Sequence, residues 1–194
     1  MKWLLRLVIL TLALAVVAAI LTRGLGFSAR GKPWTTEERM ARAARRWATP
    51  SAVRGQANPV PVTSDVIEFG LKHWADHCAS CHGNDGSGDT KLGRNMYPPA
   101  PDMRGGATQA MSDGELFYVI ERGIPMTGMP AWGTGTADGE RASWELVRFI
   151  RHLPKLSPED LARMETLNPK SQMDAEQAAE IDDFLSGGPK KIIR

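Results

Sequence analysis

A long apolar stretch near the N-terminus is the first feature of the hydrophobic pattern. Residues 3–21 read WLLRLVILTLALAVVAAIL and are interrupted only by Arg6 and one threonine. This length is close to the ~20 apolar residues that a helix needs to cross a bilayer. A cleaved signal peptide is the alternative, with Lys2 and Arg6 as its charged start and residues 17–19 as its cleavage site. Because the apolar stretch continues beyond that site, we predict an uncleaved membrane anchor over residues 1–24.

The rest of the chain has the hydrophobic period of helices. Its apolar residues recur every three or four positions, and capping or helix-stopping residues flank them. The predicted helices are 35–48 with a Thr35 cap, Ser64 or Asp65 to Cys78, Asp113 to Gly123 after a capping box at Ser112, a helix carrying Trp144, Val147, Ile150 and Leu153 that ends before Pro154, a short helix from Ser157 and Pro158, and 174–185. Residues 83–111 and 123–139 are rich in glycine and proline and are predicted to be loops. Since strand-like alternation does not persist anywhere, the predicted fold class is all-α.

Four regions follow from this pattern. Residues 1–24 are the anchor or signal segment, and 25–63 combine a basic helix with a proline-rich linker. Residues 64–154 form the main domain, and 155–194 form a helical C-terminal extension. The helix over 35–48 is either a solvated juxtamembrane helix or a basic surface held against anionic lipid headgroups. From residue 50 onward, the composition indicates an extended linker that contributes nothing to the core.

Composition and charge exclude several classes of protein. The chain has 194 residues, of which 42% are hydrophobic and 24% charged, values typical of globular proteins rather than disordered or fibrous ones. A net charge of +2 gives no reason to expect nucleic acid as a partner. The charge is unevenly distributed, with +8 over residues 1–63 and −6 over residues 64–194. The acidic body suggests a docking partner with a basic rim.

Two cysteines and a histidine form the motif with the most specific chemistry. Residues 78–82 read CASCH, the C-x-x-C-H pattern of covalent haem attachment. Thiols at this spacing can reach two vinyl groups on one porphyrin edge, and the adjacent imidazole can bind the iron. A structural zinc site lacks its second ligand pair, and a thioredoxin-like pair lacks its βαβ unit. We therefore predict one haem c bound through Cys78 and Cys81, with His82 as an axial ligand.

The haem iron of an electron carrier needs a sixth ligand, and a thioether raises the reduction potential. The loop GIPMTGMPAWG over residues 123–133 offers Met126 and Met129. Methionines usually fill hydrophobic cores, and Met129 is poorly placed for that role because a glycine and a proline flank it in a loop. We predict Met129 as the ligand, and Met126 remains the alternative. Three other methionines are candidates to line the haem: Met96, Met103 and Met111.

Together these residues resemble the class I cytochrome c family over residues 65–154. The first helix of that family carries a glycine and an aromatic residue four positions later, which correspond here to Gly70 and Trp74. The resemblance implies a small helical domain around one covalent haem. It also implies that the C-terminal helix crosses the first helix closely at the glycine, at Phe149 or Trp144.

The resemblance assigns further roles around the haem. By it, the Pro101 carbonyl accepts a hydrogen bond from His82 Nδ1, which would orient the imidazole, and Met103 touches the ring. The sequence Met-Pro-Ala-Trp over 129–132 is very like that of many small bacterial members, which selects Met129 over Met126. Ala100 and Met103 stand where the family more often has glycine and leucine. Two more residues are candidates to hydrogen-bond the haem propionates: Arg104 and Trp132.

The resemblance implies a single-electron carrier and not an enzyme. Its expected partners are donor and acceptor redox proteins and the membrane, with no nucleic acid and no small-molecule substrate. One alternative is a haem subunit of a larger membrane oxidoreductase, with residues 155–194 as a docking element. A second alternative is a ligand-binding or peroxidase-like haem protein, if Met129 does not bind iron. The remaining histidines, His73, His77 and His152, are predicted to be structural or surface residues.

The orientation across the membrane rests on two opposing arguments. The family receives its haem after export, so the resemblance places the haem domain on the periplasmic side of a bacterial inner membrane, behind a single membrane-spanning helix. Seven basic residues between positions 23 and 46 favour the opposite orientation by the positive-inside rule. We give the haem chemistry precedence over the charge count.

Overall fold

The computed structural model describes residues 2–25 and 28–169, and every regular element in these ranges is helical. This confirms the predicted all-α class. The helices are α1 (Lys2–Leu25), α2 (Thr35–Ala48), α3 (Ser51–Arg54), α4 (Ser64–His73), a π-helical turn (Trp74–Cys78), α5 (Ala79–His82), α6 (Lys91–Arg94), α7 (Gly106–Gln109), α8 (Asp113–Arg122), α9 (Ala137–His152), a 3₁₀ turn (Leu153–Lys155) and α10 (Pro158–Leu167). The helix predicted over 174–185 lies outside the described residues.

Local capping chemistry explains where most of the helices begin. A capping box opens α8, where the Ser112 hydroxyl accepts from the Glu115 N–H at 3.1 Å and the Glu115 carboxylate accepts from the Ser112 N–H at 2.8 Å. The Thr136 hydroxyl caps α9, so the loop predicted to reach residue 139 ends three residues earlier. Helix α2 has Trp34 at its N-cap and no side-chain cap, which corrects the predicted Thr35 cap. The predicted loop over 83–111 also contains the single-turn helices α6 and α7.

The centre of the body is the crossing of α4 and α9 at Gly70. A Cβ at this position would lie 2.6 Å from the Phe149 Cβ and 3.0 Å from the Glu145 carbonyl oxygen. Only glycine lets the two helices approach this closely. Phe149 and Trp74 are buried with ring centroids 5.8 Å apart, and Leu71 is buried beside them. The crossing that the resemblance implied is therefore confirmed at Phe149.

The segment expected to be a free linker is packed against the body. Val60 is buried in the core, and its carbonyl accepts from the Arg148 guanidinium at 2.8 Å. The Asn58 amide donates to the Trp144 carbonyl at 2.9 Å. Helix α3 lies on α8, where the Val53 carbonyl contacts Gly114. The expectation that residues 50–63 contribute nothing to the core is therefore wrong. Val60 is part of the core, and Arg148 of α9 donates hydrogen bonds to backbone carbonyls of this segment.

The folded body also extends past residue 154. Met164 of α10 is fully buried in the same core, and Arg163 forms an ion pair with Glu68 of α4 at 2.8 Å. The residues after 154 therefore begin as part of the packed body rather than as an appendage.

Helix α1 has the length and composition of a membrane span. Its apolar window covers Lys2–Gly24, and none of that window is buried inside the protein. At 1.5 Å per residue, 23 residues extend about 35 Å, enough for a hydrocarbon core of about 30 Å. The predicted anchor helix therefore forms as a single continuous element.

Candidate functional site

The C-x-x-C-H motif lies where the first core helix changes its winding. Helix α4 widens into the π-helical turn that ends at Cys78, and α5 ends at His82. The Trp74 indole N–H donates to the Gly83 carbonyl at 2.9 Å, which ties the start of the turn to the residue after the motif. The Thr90 hydroxyl donates to the Ser80 carbonyl at 2.9 Å. These bonds hold both cysteines and the histidine on one short, braced segment.

The two thiols are not paired with each other and are partly buried, and Cys78 packs against the core. Burial raises the pKa of the Cys78 thiol to about 12, and the charge of Cys81 acts in the same direction. Reactive redox cysteines have lowered pKa values instead. This environment therefore disfavours a thioredoxin-type pair. Among the described residues, no group of three or more His, Cys, Asp and Glu side chains is arranged to hold a metal ion, so a zinc site is also disfavoured.

His82 carries a neutral imidazole inside the body. Burial lowers its pKa, and the Pro101 carbonyl acts in the opposite direction. Its Nδ1 is buried and completes no hydrogen bond within the described part of the chain. Buried polar atoms nearly always have a partner, and the neutral imidazole is the form that binds metals. Two unpaired thiols followed by this imidazole are the donor set that a covalently attached haem requires, so the residues fit the group.

The loop after the motif folds back beneath it. The Met103 N–H donates to the Gly86 carbonyl at 2.7 Å, and the Met103 side chain packs partly buried against the core. The Gln109 amide donates to the Met103 carbonyl at 2.8 Å. These bonds hold Met103 against the core. Pro101, in the same loop, lies beside His82.

Arg104 does not have a free guanidinium. It bonds to Asp85 Oδ2 and Asp102 Oδ1, both at 2.9 Å, and the Asp102 hydrogen bond raises its pKa further. A haem propionate would have to compete with these two carboxylates.

The two methionines of the 123–133 loop have opposite environments. Met126 is 99% exposed, whereas Met129 is half-buried. The Thr127 hydroxyl accepts from the Met129 N–H at 3.1 Å, and the Met129 carbonyl accepts from the Ile124 N–H at 3.1 Å. The backbone around Met129 is thus fixed in a tight turn. Met96 also reaches this turn, since its sulfur contacts Gly128.

Trp132 connects this loop to the helix that carries the motif. Its ring centroid lies 5.4 Å from that of His77, the residue before Cys78. His77 in turn lies 4.9 Å from His73, and Phe69 continues the row at 5.9 Å. The sequence predicted only structural or surface roles for His73 and His77 and did not predict this row. The signal that could have found the row is the spacing of four between positions 69, 73 and 77.

An all-helical body with a C-x-x-C-H motif at the end of its first core helix defines the class of c-type haem electron-transfer domains. Residues 66–150 match the family model described as cytochrome c oxidase, cbb3-type, subunit III. The Cbb3-type cytochrome c oxidase subunit FixP of Sinorhizobium medicae (strain WSM419) is 34% identical over 73 residues, which cover 37% of this chain and 23% of that protein. The shared region thus spans less than a quarter of that relative. Residues 66–150 form a class I c-type cytochrome domain, as the motifs predicted, and α1 provides a membrane-anchoring helix.

Proposed function

We propose that the protein is a membrane-anchored monohaem cytochrome c that passes single electrons between redox partner proteins. The observation that carries the proposal is the partly buried His82 imidazole, with its buried Nδ1, directly after two unpaired thiols on one braced segment. In this proposal Cys78 and Cys81 would hold a haem covalently, each through a thioether that results when its S–H adds across one vinyl group, with the hydrogen on the other vinyl carbon. The bound group supplies one-electron chemistry at iron.

The surrounding residues hold and shield that group. In this proposal His82 would bind the iron, and a hydrogen bond from its Nδ1 to the neighbouring Pro101 carbonyl, which the structure does not complete, would orient the imidazole and raise its basicity. Met129 is the proposed second axial ligand, because its loop backbone is fixed and its side chain is half-buried. Met103 would contact the haem, and Trp132, whose ring lies 5.4 Å from that of His77, would lie at its edge. With His82 and Met129 both bound to the iron, no position would remain for a substrate, so we propose an electron carrier and not an enzyme.

Covalent attachment is the step to test first. The full chain is produced with the haem-ligation machinery as the wild type, as the single variants Cys78→Ser and Cys81→Ser, and as the double variant with both changes. Each sample is treated with acidified acetone. We expect the wild type to keep its colour in the protein pellet and to gain the mass of one haem. Each single variant should lose one thioether, and the double variant should release its colour entirely. Colour that leaves the wild type with the solvent would contradict the proposal.

A second candidate is a haem subunit held permanently in a membrane oxidase. Its support is the match of residues 66–150 to a family described by a cbb3-type oxidase subunit, together with the likeness to FixP. Purification from membranes in mild detergent separates the two candidates. A stable complex of constant stoichiometry would favour the subunit, and isolation of the cytochrome alone would favour the mobile carrier.

The proposed location is the inner membrane of a bacterium, with α1 crossing once and the haem domain in the periplasm. The limits of the cytochrome body are proposed as roughly residues 49–167, because Thr49, Val60 and Met164 are all buried. Docking with a partner that has a basic rim is supported only by the net charge of −6 over residues 64–194.

A further inference from the structure

Helix α2 presents an apolar face that no described part of the protein covers. Met40 is 72% exposed and Trp47 is 87% exposed, and Ala43 and Ala44 between them are also exposed. These residues recur at helical spacing, so they form one continuous stripe along the helix. Leaving a tryptophan and a methionine in water forgoes the stabilisation that each would gain from burial.

The opposite face of α2 is attached to the cytochrome body. The Tyr97 hydroxyl donates to Glu37 Oε1 at 2.6 Å near the start of the helix. The Arg45 guanidinium donates to Met111 Sδ at 3.3 Å, and Arg46 lies 3.8 Å from Glu115. Polar side chains thus join the helix to the body, and the apolar stripe points away from it. This arrangement is the reverse of an ordinary surface helix, whose apolar face packs on the core.

The chain places this stripe close to the membrane. Helix α1 ends at Leu25 and α2 begins at Thr35. The nine residues between them extend at most about 30 Å. Trp34, which is 71% exposed, precedes the helix, and Arg39 and Arg42 lie on its polar side. Tryptophan on an apolar face opposite arginines is the composition of helices that lie in the membrane interface.

We infer that α2 is an interfacial helix, whose Met40–Trp47 stripe lies in the headgroup region of the same membrane that α1 crosses. Its polar face then attaches the cytochrome body to that surface in one orientation. Residues 49–60 are also packed on the body, so they do not act as a long flexible linker. The haem domain would therefore keep one orientation towards partners that lie in the same membrane. The inference rests on α1 spanning the membrane. It is independent of the haem ligands and holds for either side of the bilayer.

Photo-crosslinking from single positions tests whether lipid contacts the Met40–Trp47 stripe. The full-length holoprotein carries benzoylphenylalanine at position 40, 47 or 42 and is irradiated in nanodiscs of mixed anionic and zwitterionic phospholipid, and in native membranes. Arg42 is the control on the same helix, since 53% of its side chain is exposed but it lies on the polar face. We expect lipid adducts at positions 40 and 47, by intact mass, several-fold above those at position 42. Equal yields at all three positions would overturn the inference.

Two further outcomes keep the test decisive. Adducts in native membranes that join positions 40 and 47 only to protein would assign the stripe to a partner subunit and overturn the inference. The double variant Met40→Glu, Trp47→Glu should leave the haem absorption spectrum unchanged, but amide exchange over residues 39–48 in nanodiscs should rise several-fold. Unchanged exchange would contradict membrane contact. A loss of the covalent haem in the wild type would instead overturn the proposed function and leave this inference standing.

Discussion

At the scale of single residues, Met126 and Met129 show how one loop separates a surface side chain from a ligand candidate. They are three positions apart, yet Met126 is almost wholly in solvent and has a φ of 60°, whereas Met129 is half-buried on a fixed backbone. A φ in this region is uncommon for a residue with a Cβ. The turn therefore directs one thioether outward, and only the other is left to face the protein.

Replacing these methionines one at a time tests the ligand assignment. In Met129→Leu, we expect loss of the thioether–iron charge-transfer band and a lower reduction potential, because the sulfur ligand that favours reduced iron is gone. Met126→Leu, with the same change in chemistry, should leave the spectrum and the potential unchanged. Absorption spectra and redox titration of both variants measure this. If Met129→Leu kept the band, the ligand role would pass to Met126 or to a histidine, and loss of the band in Met126→Leu would select Met126.

At the scale of elements, the crossing of α4 and α9 fixes the position of the motif, because Trp74 and Cys78 continue from α4. Gly70→Ala places a methyl group against the Phe149 Cβ and the Glu145 carbonyl. We expect a loss of about 1–3 kcal/mol in the free energy of unfolding, as for other overpacked cores. Gly106→Ala is the control, because nothing lies within 4 Å of its Cβ position, and it should change stability by less than about 0.5 kcal/mol. Denaturant unfolding followed by haem absorbance distinguishes them, and equal effects would refute the tight crossing.

Helix α10 provides a second test at this scale. Met164→Ala removes a fully buried side chain from the core and should destabilise the cytochrome body by about 2–5 kcal/mol. Met126→Ala makes the same chemical change at an exposed site and should have an effect below about 0.5 kcal/mol. Thermal melting of both holoproteins measures the difference. A negligible effect of Met164→Ala would show that α10 does not contribute to the packed core and is an independent extension.

Element boundaries show which parts of the fold the sequence encodes locally. Capping boxes at Ser112 and Ser157 use neighbouring residues only, so the starts of α8 and α10 are predictable from the sequence. The C-x-x-C-H motif is likewise local. The burial of Val60 is not local, since its carbonyl is bonded by Arg148, 88 positions away, and the valines at 60 and 62 among prolines show no helical period. The π-helical turn is also invisible in the sequence, because its apolar spacing fits an α-helix equally well.

At the scale of the whole molecule, the distribution of charge conflicts with periplasmic export, and the fold reduces the conflict. Arg42 pairs with Glu38 at 2.6 Å, and Arg46 lies 3.8 Å from Glu115. Arg45 donates to Met111 of the body. Two of the basic residues that follow α1, Arg45 and Arg46, therefore attach α2 to the cytochrome domain, and Arg42 pairs within the helix. Their presence has a structural reason that is separate from the choice of membrane orientation.

Protease access to intact spheroplasts tests that orientation directly. The haem attachment proposed for Cys78 and Cys81 takes place outside the cytoplasm, so we expect added protease to remove the cytochrome body without lysis of the cells. A cytoplasmic enzyme in the same sample must stay intact as the control. Inverted vesicles should show the reverse, with the body protected until the membrane is opened. If the body were instead digested only in inverted vesicles, the positive-inside rule would hold for the seven basic residues between positions 23 and 46. Haem would then have to be attached on the cytoplasmic side, and the proposed place of this cytochrome in periplasmic electron transfer would be wrong.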